Sequence, residues 1–275
     1  MKTKNIGFIG GGNMASSLIN GLIASGHSPQ QIWVSDVNQE ALQNLASTLK
    51  VNISISNEAV IDEADVVVLA VKPQVLREVA ENAAASLQTK KSLVVSIAAG
   101  INQHSLSQWI GADAAIVRCM PNTPALVLTG ATALHANSNV SVEQKDLAEN
   151  ILRAVGISLW VEDESELDAV TAVSGSGPAY YFLLMESMEK AAMELGLSKE
   201  TARLLIQQTA LGAAKIALES DESPEELRNR VTSPNGTTQK AIETFEAGDF
   251  SSLVSKALHA ARERSIEMSK ELGEL

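Results

Sequence analysis

Ile6-Gly7-Phe8-Ile9-Gly10-Gly11-Gly12-Asn13-Met14-Ala15 is the stretch that decides the fold of this chain. A short apolar run ends in three glycines, and a helical pattern starts at once. Gly10, Gly12 and Ala15 occupy the three positions of a G-x-G-x-x-G/A turn between a strand and a helix. The first glycine permits the tight turn, the second lets the backbone approach a pyrophosphate, and the small third residue lets helix and strand pack closely. The free N–H groups and positive end of the helix then receive the phosphates. A plain glycine-rich loop would carry the same letters, so the flanks matter. Asp36 lies 21 residues beyond Ala15, at the end of the next apolar run, where an acid binds both ribose hydroxyls. Its carboxylate favours NADH by repelling a 2′-phosphate. Ser35 and Asn38 are able to hydrogen-bond that phosphate, which leaves NADPH open.

Outward from this motif, short apolar runs alternate with helical patterns. Ile32–Val34, Val66–Val71, Leu93–Ile97 and Ala115–Cys119 read as buried strands, with helices near Asn13–Ala24, Gln39–Leu49, Val75–Ser86 and Gln103–Trp109. Such alternation predicts an α/β class with a parallel sheet covered on both faces. Further strands are expected at Ala131–His135 and Ile157–Val161, around a helix near Val142–Ala154. Beyond the acidic joint Glu162-Asp163-Glu164-Ser165 strand signals stop, and Tyr180–Leu195, Thr201–Glu219 and Leu253–Leu272 carry helical spacing. Gly196 stands at a C-cap, and Ser223-Pro224-Glu225-Glu226 combines an N-cap, a first-turn proline and an N3 acid. The expected division is a Rossmann-type dinucleotide-binding domain over 1–163 and an all-helical domain over 164–275.

Open α/β sheets place their ligands at the loops that follow the strands. Ala70-Val71-Lys72-Pro73-Gln74 and Ser96-Ile97-Ala98-Ala99-Gly100 are two such loops. Lys72 is the only nearby cation, and a solvated loop lysine is an equal reading. In a third loop, Met120-Pro121-Asn122-Thr123-Pro124, two prolines hold polar groups stiffly, as a ligand wall or a structural turn requires.

Composition narrows the function. A net charge of −12 over 275 residues argues against nucleic-acid binding, and 3% aromatics against base stacking. The single cysteine, Cys119, permits no intrachain disulfide and fits a reducing compartment, as a buried small hydrophobe. No signal peptide or membrane-length apolar run is evident, so a cytoplasmic protein is expected. His27, His104, His135 and His259 show no metal-ligand spacing, and no metal site is expected.

Three segments together resemble the pyrroline-5-carboxylate reductase family. They are Arg118-Cys119-Met120-Pro121-Asn122-Thr123-Pro124, Ser174-Gly175-Ser176-Gly177-Pro178-Ala179-Tyr180 and Thr232-Ser233-Pro234-Asn235-Gly236-Thr237-Thr238. The glycine turn and Val71-Lys72-Pro73 agree with them in order and spacing, so the resemblance covers nearly the whole chain. It implies an oxidoreductase that reduces 1-pyrroline-5-carboxylate to L-proline with NADPH or NADH, the last step of proline biosynthesis. It also implies helical domains that interlock in a homodimer, with a larger homo-oligomer expected. Carried over by position, cofactor contacts fall on Gly10, Gly12, Asn13, Met14, Asn57, Ala70, Lys72 and Ala98. Ser35, Asp36, Pro73 and Asn122 complete the expected cofactor set. Substrate contacts fall on Ser233, Gly236, Thr237 and Thr238, with Asn235 beside them where the family often has glycine. Asn tolerates a left-handed backbone better than most residues, so the loop is expected to survive.

Chemistry adds to this. The amides of Asn235, Gly236, Thr237 and Thr238, at a predicted helix start, form an expected nest for the substrate carboxylate. The Thr238 hydroxyl is the candidate for orienting the imine nitrogen or relaying a proton to it, although plain helix capping uses the same residue types. Two alternatives compete. A β-hydroxyacid dehydrogenase shares the layout but needs a lysine soon after the glycine-rich turn, and here none follows Gly177 until Lys190. A non-catalytic dinucleotide sensor would use its helices for a partner. The apolar helices suggest that Tyr181, Leu184, Met188, Leu205 and Leu211 pack across a dimer interface.

Overall fold

A computed structural model of the chain describes residues 4–274. Eight strands form one sheet in the order β3-β2-β1-β4-β5-β6-β7-β8. They are β1 (Ile6–Ile9), β2 (Ile32–Ser35), β3 (Asn52–Ser54), β4 (Val66–Leu69), β5 (Leu93–Ser96), β6 (Ile116–Met120), β7 (Gly130–Ala136) and β8 (Gly156–Trp160). All neighbours are parallel except β6 and β7. Between them run α1 (Asn13–Ala24), α2 (Gln39–Leu49), α3 (Asn57–Glu63), α4 (Pro73–Lys90), α5 (Gln103–Ile110) and α6 (Val142–Arg153).

The central strands Val66-Val67-Val68-Leu69 and Leu93-Val94-Val95-Ser96 are wholly buried, as a parallel sheet covered on both faces demands. Alternation sends their side chains to two separate cores. Val66, Val68 and Val95 join Phe8, Leu18 and Leu152 on one face. Val67, Leu69 and Val94 join Ile61, Leu76 and Leu106 on the other. Strand order reverses at β1, which lies between β2 and β4, so the crevice beyond the carboxyl ends of β1 and β4 is the ligand position of this architecture.

After β8 the described chain is helical: α7 (Glu166–Val170), a π-helical turn over Thr171–Gly175, α8 (Gly177–Glu194), α9 (Lys199–Glu219), α10 (Pro224–Arg230), α11 (Thr237–Ala247) and α12 (Phe250–Glu274). By compactness the chain divides into two units. One runs up to Ser176 and resumes at Ala260; the other is Gly177–His259. In the first unit the end of α12 packs back on the sheet domain. Leu272 joins the second core, and Ser265 Oγ donates to Asp168 Oδ1 at 2.7 Å. Ser223 and Glu226 form the expected capping box of α10. No helix among the described residues is long and apolar enough to cross a membrane.

Candidate active site

The glycine turn folds as its letters require. Gly10 has φ +101°, and a Cβ there would lie 2.6 Å from the Ala70 carbonyl oxygen, so only glycine fits against β4. Gly12 faces open space and starts α1 as its N-cap, with no side-chain cap. The first-turn amides of α1, from Asn13 to Ala15, therefore have no intrahelical acceptor and stand free for an anion. This open, uncapped helix start is the shape a pyrophosphate needs. Asp36 closes the turn from β2: Oδ2 accepts from Gly11 N at 2.7 Å, and Oδ1 accepts from Asn38 N at 2.8 Å. Ser35 Oγ, fully buried, donates to Asn57 Oδ1 at 2.7 Å, which leaves the Asn57 Nδ2 donors free. Gly10, Gly12, Ser35, Asp36, Asn57 and Ala70 are thus gathered at the carboxyl ends of β1, β2 and β4.

The neighbouring loops extend this edge. Lys72 is the exposed N-cap of α4, with Pro73 at the first turn, and it makes no ion pair among the described residues. Ala98 is buried beyond β5, and Gly100 takes φ +72° against Met268. Asn122 is more committed than its place in the cofactor set suggests. Its Oδ1 accepts from Ala131 N at 2.9 Å, and its Nδ2 donates to the Ser174 carbonyl at 3.0 Å. Only one N–H and one lone pair remain, so the carboxamide braces the loop before it serves any ligand. Burial pushes the Cys119 thiol well above its usual range, which keeps it an inert thiol. Among the described residues no cluster of His, Cys, Asp or Glu could hold a metal ion.

In the helical unit, Ser233–Thr238 forms the turn into α11. Asn235 adopts φ +58° and Gly236 is the N-cap, with no side-chain cap. The expected nest needs a correction. Asn235 N donates to Gln239 Oε1 at 2.6 Å and Gly236 N to the Ser233 carbonyl at 3.0 Å, so neither is free. Because the glycine N-cap offers no side chain, Gln239 reaches back over the turn and takes the first amide. The free amides are those one step into the helix, at Thr237, Thr238 and Gln239. Thr238 is half-buried, Thr237 and Ser233 are exposed, and the Thr238 hydroxyl makes no hydrogen bond among the described residues.

One buried ion pair lies outside every expected site. Arg118, 5% exposed on β6, donates from Nη1 to Glu164 Oε1 at 2.9 Å. The signal available was an arginine inside an otherwise apolar strand.

Fold and glycine turn define a protein with a Rossmann-type dinucleotide-binding domain. A family profile described as pyrroline-5-carboxylate reductase dimerisation matches residues 164–268, and one described as NADP oxidoreductase, coenzyme F420-dependent, matches residues 5–100. The chain is 53% identical over 274 residues to a pyrroline-5-carboxylate reductase of Pseudomonas aeruginosa, covering 100% of both. The solved structure of a pyrroline-5-carboxylate reductase from Coxiella burnetii matches with a TM-score of 0.93 and 48% identity, covering 97% of this chain and 99% of that one. The Plasmodium falciparum pyrroline carboxylate reductase, crystallised with NADP bound, matches with a TM-score of 0.87 and 31% identity over 98% of this chain and 99% of that one. The chain belongs to the pyrroline-5-carboxylate reductase family. Its membership sets aside the dehydrogenase and sensor alternatives.

Proposed function

We propose that this chain reduces 1-pyrroline-5-carboxylate to L-proline with NADPH or NADH, closing proline biosynthesis in the cytoplasm. The observation that carries the site assignment is the turn into α11, where free helix-start amides stand beside an unengaged threonine hydroxyl. The amides of Thr237, Thr238 and Gln239 hold the substrate carboxylate, with Ser233, Asn235 and Gly236 shaping the turn. Gly10, Gly12, Asn13 and Met14 receive the pyrophosphate, and Ser35, Asp36 and Asn57 the adenosine ribose. Ala70, Lys72, Pro73, Ala98 and Asn122 line the remaining edge.

When bound, the reduced nicotinamide supplies the hydride. The protein's task at the substrate is to hold the ring and manage a proton. Reduction turns an sp² imine nitrogen into an amine, so a proton on that nitrogen lowers the barrier. The free imine takes one from water, so a strong acid is unnecessary. A neutral hydroxyl that orients the nitrogen or relays the proton suffices, and Thr238 supplies it despite its high pKa.

The functional boundary falls at 163/164, with the dinucleotide part before it and the dimerisation and substrate part after it. The working assembly is a homodimer built into a larger homo-oligomer. Steady-state turnover of the imine with each cofactor tests the activity. For Thr238, the Ala variant should lower kcat/KM by about 10–10³-fold with cofactor affinity nearly unchanged, while the Ser variant keeps most activity. Equal behaviour of the two variants would reduce Thr238 to a helix-start residue.

A further inference from the structure

Residues 118, 120 and 122 alternate along β6 and its extended continuation, so they share one face of the sheet. Each grips a different part of the segment that leads out of the first unit. Arg118 donates to Glu164 at 2.9 Å. Met120 lies so close to Gly175 that a Cβ there would overlap its Cε. Asn122 holds the Ser174 carbonyl at 3.0 Å. The same Glu164 oxygen also accepts from Gln103 N at 2.7 Å, the first residue of α5, just past the loop after β5. One carboxylate oxygen thereby ties the loop after β5 to the strand that feeds the loop after β6.

Stability alone does not account for the pair. Desolvation of a buried guanidinium and a half-buried carboxylate cancels much of their attraction, and an apolar pair of similar size often holds a fold as well. Nor does Arg118 serve the polar groups of the sheet. Ser96, its register partner on β5, has a buried hydroxyl without a hydrogen bond among the described residues. The guanidinium is directed at Glu164, and Glu164 at the first amide of α5, just past the loop after β5.

We propose that Arg118 and Glu164 are positioning residues for hydride transfer, fixing the loops after β5 and β6 through one shared carboxylate oxygen. Neither touches a reacting atom, and the proposal rests on the reductase reading above. Glu164→Gln keeps an oxygen for Gln103 N and removes the charge. A misplacement of about 1 Å at the ligand edge costs on the order of 10²-fold in rate, and a fall of that order in kcat is expected. The primary isotope effect from C4-deuterated NADH should rise as transfer becomes rate-limiting, while NADH affinity by fluorescence falls far less than kcat, because Ala98 and Asn122 are only part of the cofactor edge. In the protein without cofactor, amide exchange at 97–102 and at Met120, Asn122 and Thr123 should quicken. Arg118→Lys should retain part of the rate. The double variant Arg118→Met with Glu164→Gln should be no worse than its poorer single, because the pair acts as a unit. Parental kcat in Glu164→Gln with only a lower Tm, or additive losses in the double variant, would overturn the proposal. If Arg118→Met does not fold, Glu164→Gln carries the test alone, since that side chain is 25% exposed. A parent enzyme without imine turnover overturns the reductase reading and this proposal together; an active parent with unaffected variants overturns this proposal alone.

Discussion

Asp36 uses one lone pair of each carboxylate oxygen on a backbone amide, Gly11 N and Asn38 N, and keeps the others for a ligand. That arrangement lets the acid shape the glycine turn and still offer lone pairs to the ribose proposed above. Asp36→Ser should weaken NADH use by about 1–3 kcal/mol, the scale of a lost charge-assisted hydrogen bond, and spare or improve NADPH use. Gly11 N loses its acceptor in the same variant, so a small loss common to both cofactors is expected. The ratio of the two kcat/KM values separates the terms, and an unchanged ratio would show that Asp36 does not discriminate. His27 makes a different prediction. It is 4% exposed behind α1, both ring nitrogens lack a hydrogen-bond partner among the described residues, and burial lowers its pKa from the usual value. The unfolded chain therefore takes up the proton first as pH falls. The stability that neutral His27 allows is fully present above about pH 6.5 and declines below it, by at most about 1.4 kcal/mol per pH unit, until the folded-state pKa is reached. Urea denaturation between pH 7.5 and 5 checks this: His27→Gln should flatten that slope, and an unchanged slope would place its origin elsewhere.

The turn into α11 shows what one residue does to an element. Asn235 sits at φ +58°, a region that costs most L-residues about 1–2 kcal/mol and Asn less. Asn235→Gly should leave Tm and the KM for the imine nearly unchanged, whereas Asn235→Ala should lower stability by about 1 kcal/mol. Thermal melts and substrate titration of the pair test this, and an equal Tm for both would mean that the turn tolerates Cβ. How legible each element was follows from the size of its signal. The apolar period places Asn13–Ala24 and Gln39–Leu49 to the residue. It misses β3 and α3, because Asn-Ile-Ser is three half-buried residues at the sheet edge and Asn57–Glu63 spans barely two turns. The π-helical turn is also hidden, since its extra residue leaves no local pattern beyond glycines and serines. Within the proposed site, Gly10 and Asp36 are legible because the tight turn demands a glycine and the turn's amide an acceptor. Ser233–Thr238 is readable only through family resemblance, because helix caps and anion nests draw on the same residues. The Arg118–Glu164 pair joins positions 46 apart, so the arginine inside an apolar strand hints at a partner without saying which.

For the molecule as a whole, the two units differ in what they bury. The first contains two cores of its own. The second, Gly177–His259, buries only Gly177 and Ala202, although it includes α8 and α9 at 18 and 21 residues. Tyr181, Leu205 and Leu211 are 66%, 53% and 62% exposed in the single chain, with Leu184 and Met188 beside them at 42% and 44%. Helices without a core face are marginal in water, because propensity alone does not offset the entropy of ordering the chain. A homodimer in which a second copy covers these side chains in return would hold the helices in shape. Placing a charge there, as in Leu211→Glu, strands a carboxylate in apolar contact and should dissociate the dimer. The first unit, with its cores intact, should still bind NADH, while helix content and imine turnover fall. Light scattering, circular dichroism and NADH fluorescence on one sample read the three quantities separately. In the parent protein, Tm should rise with protein concentration, since association contributes to the folded state. A stable, active monomer at micromolar concentration, with Tm independent of concentration, would mean that the helical unit stands on its own and that its apolar faces serve another purpose.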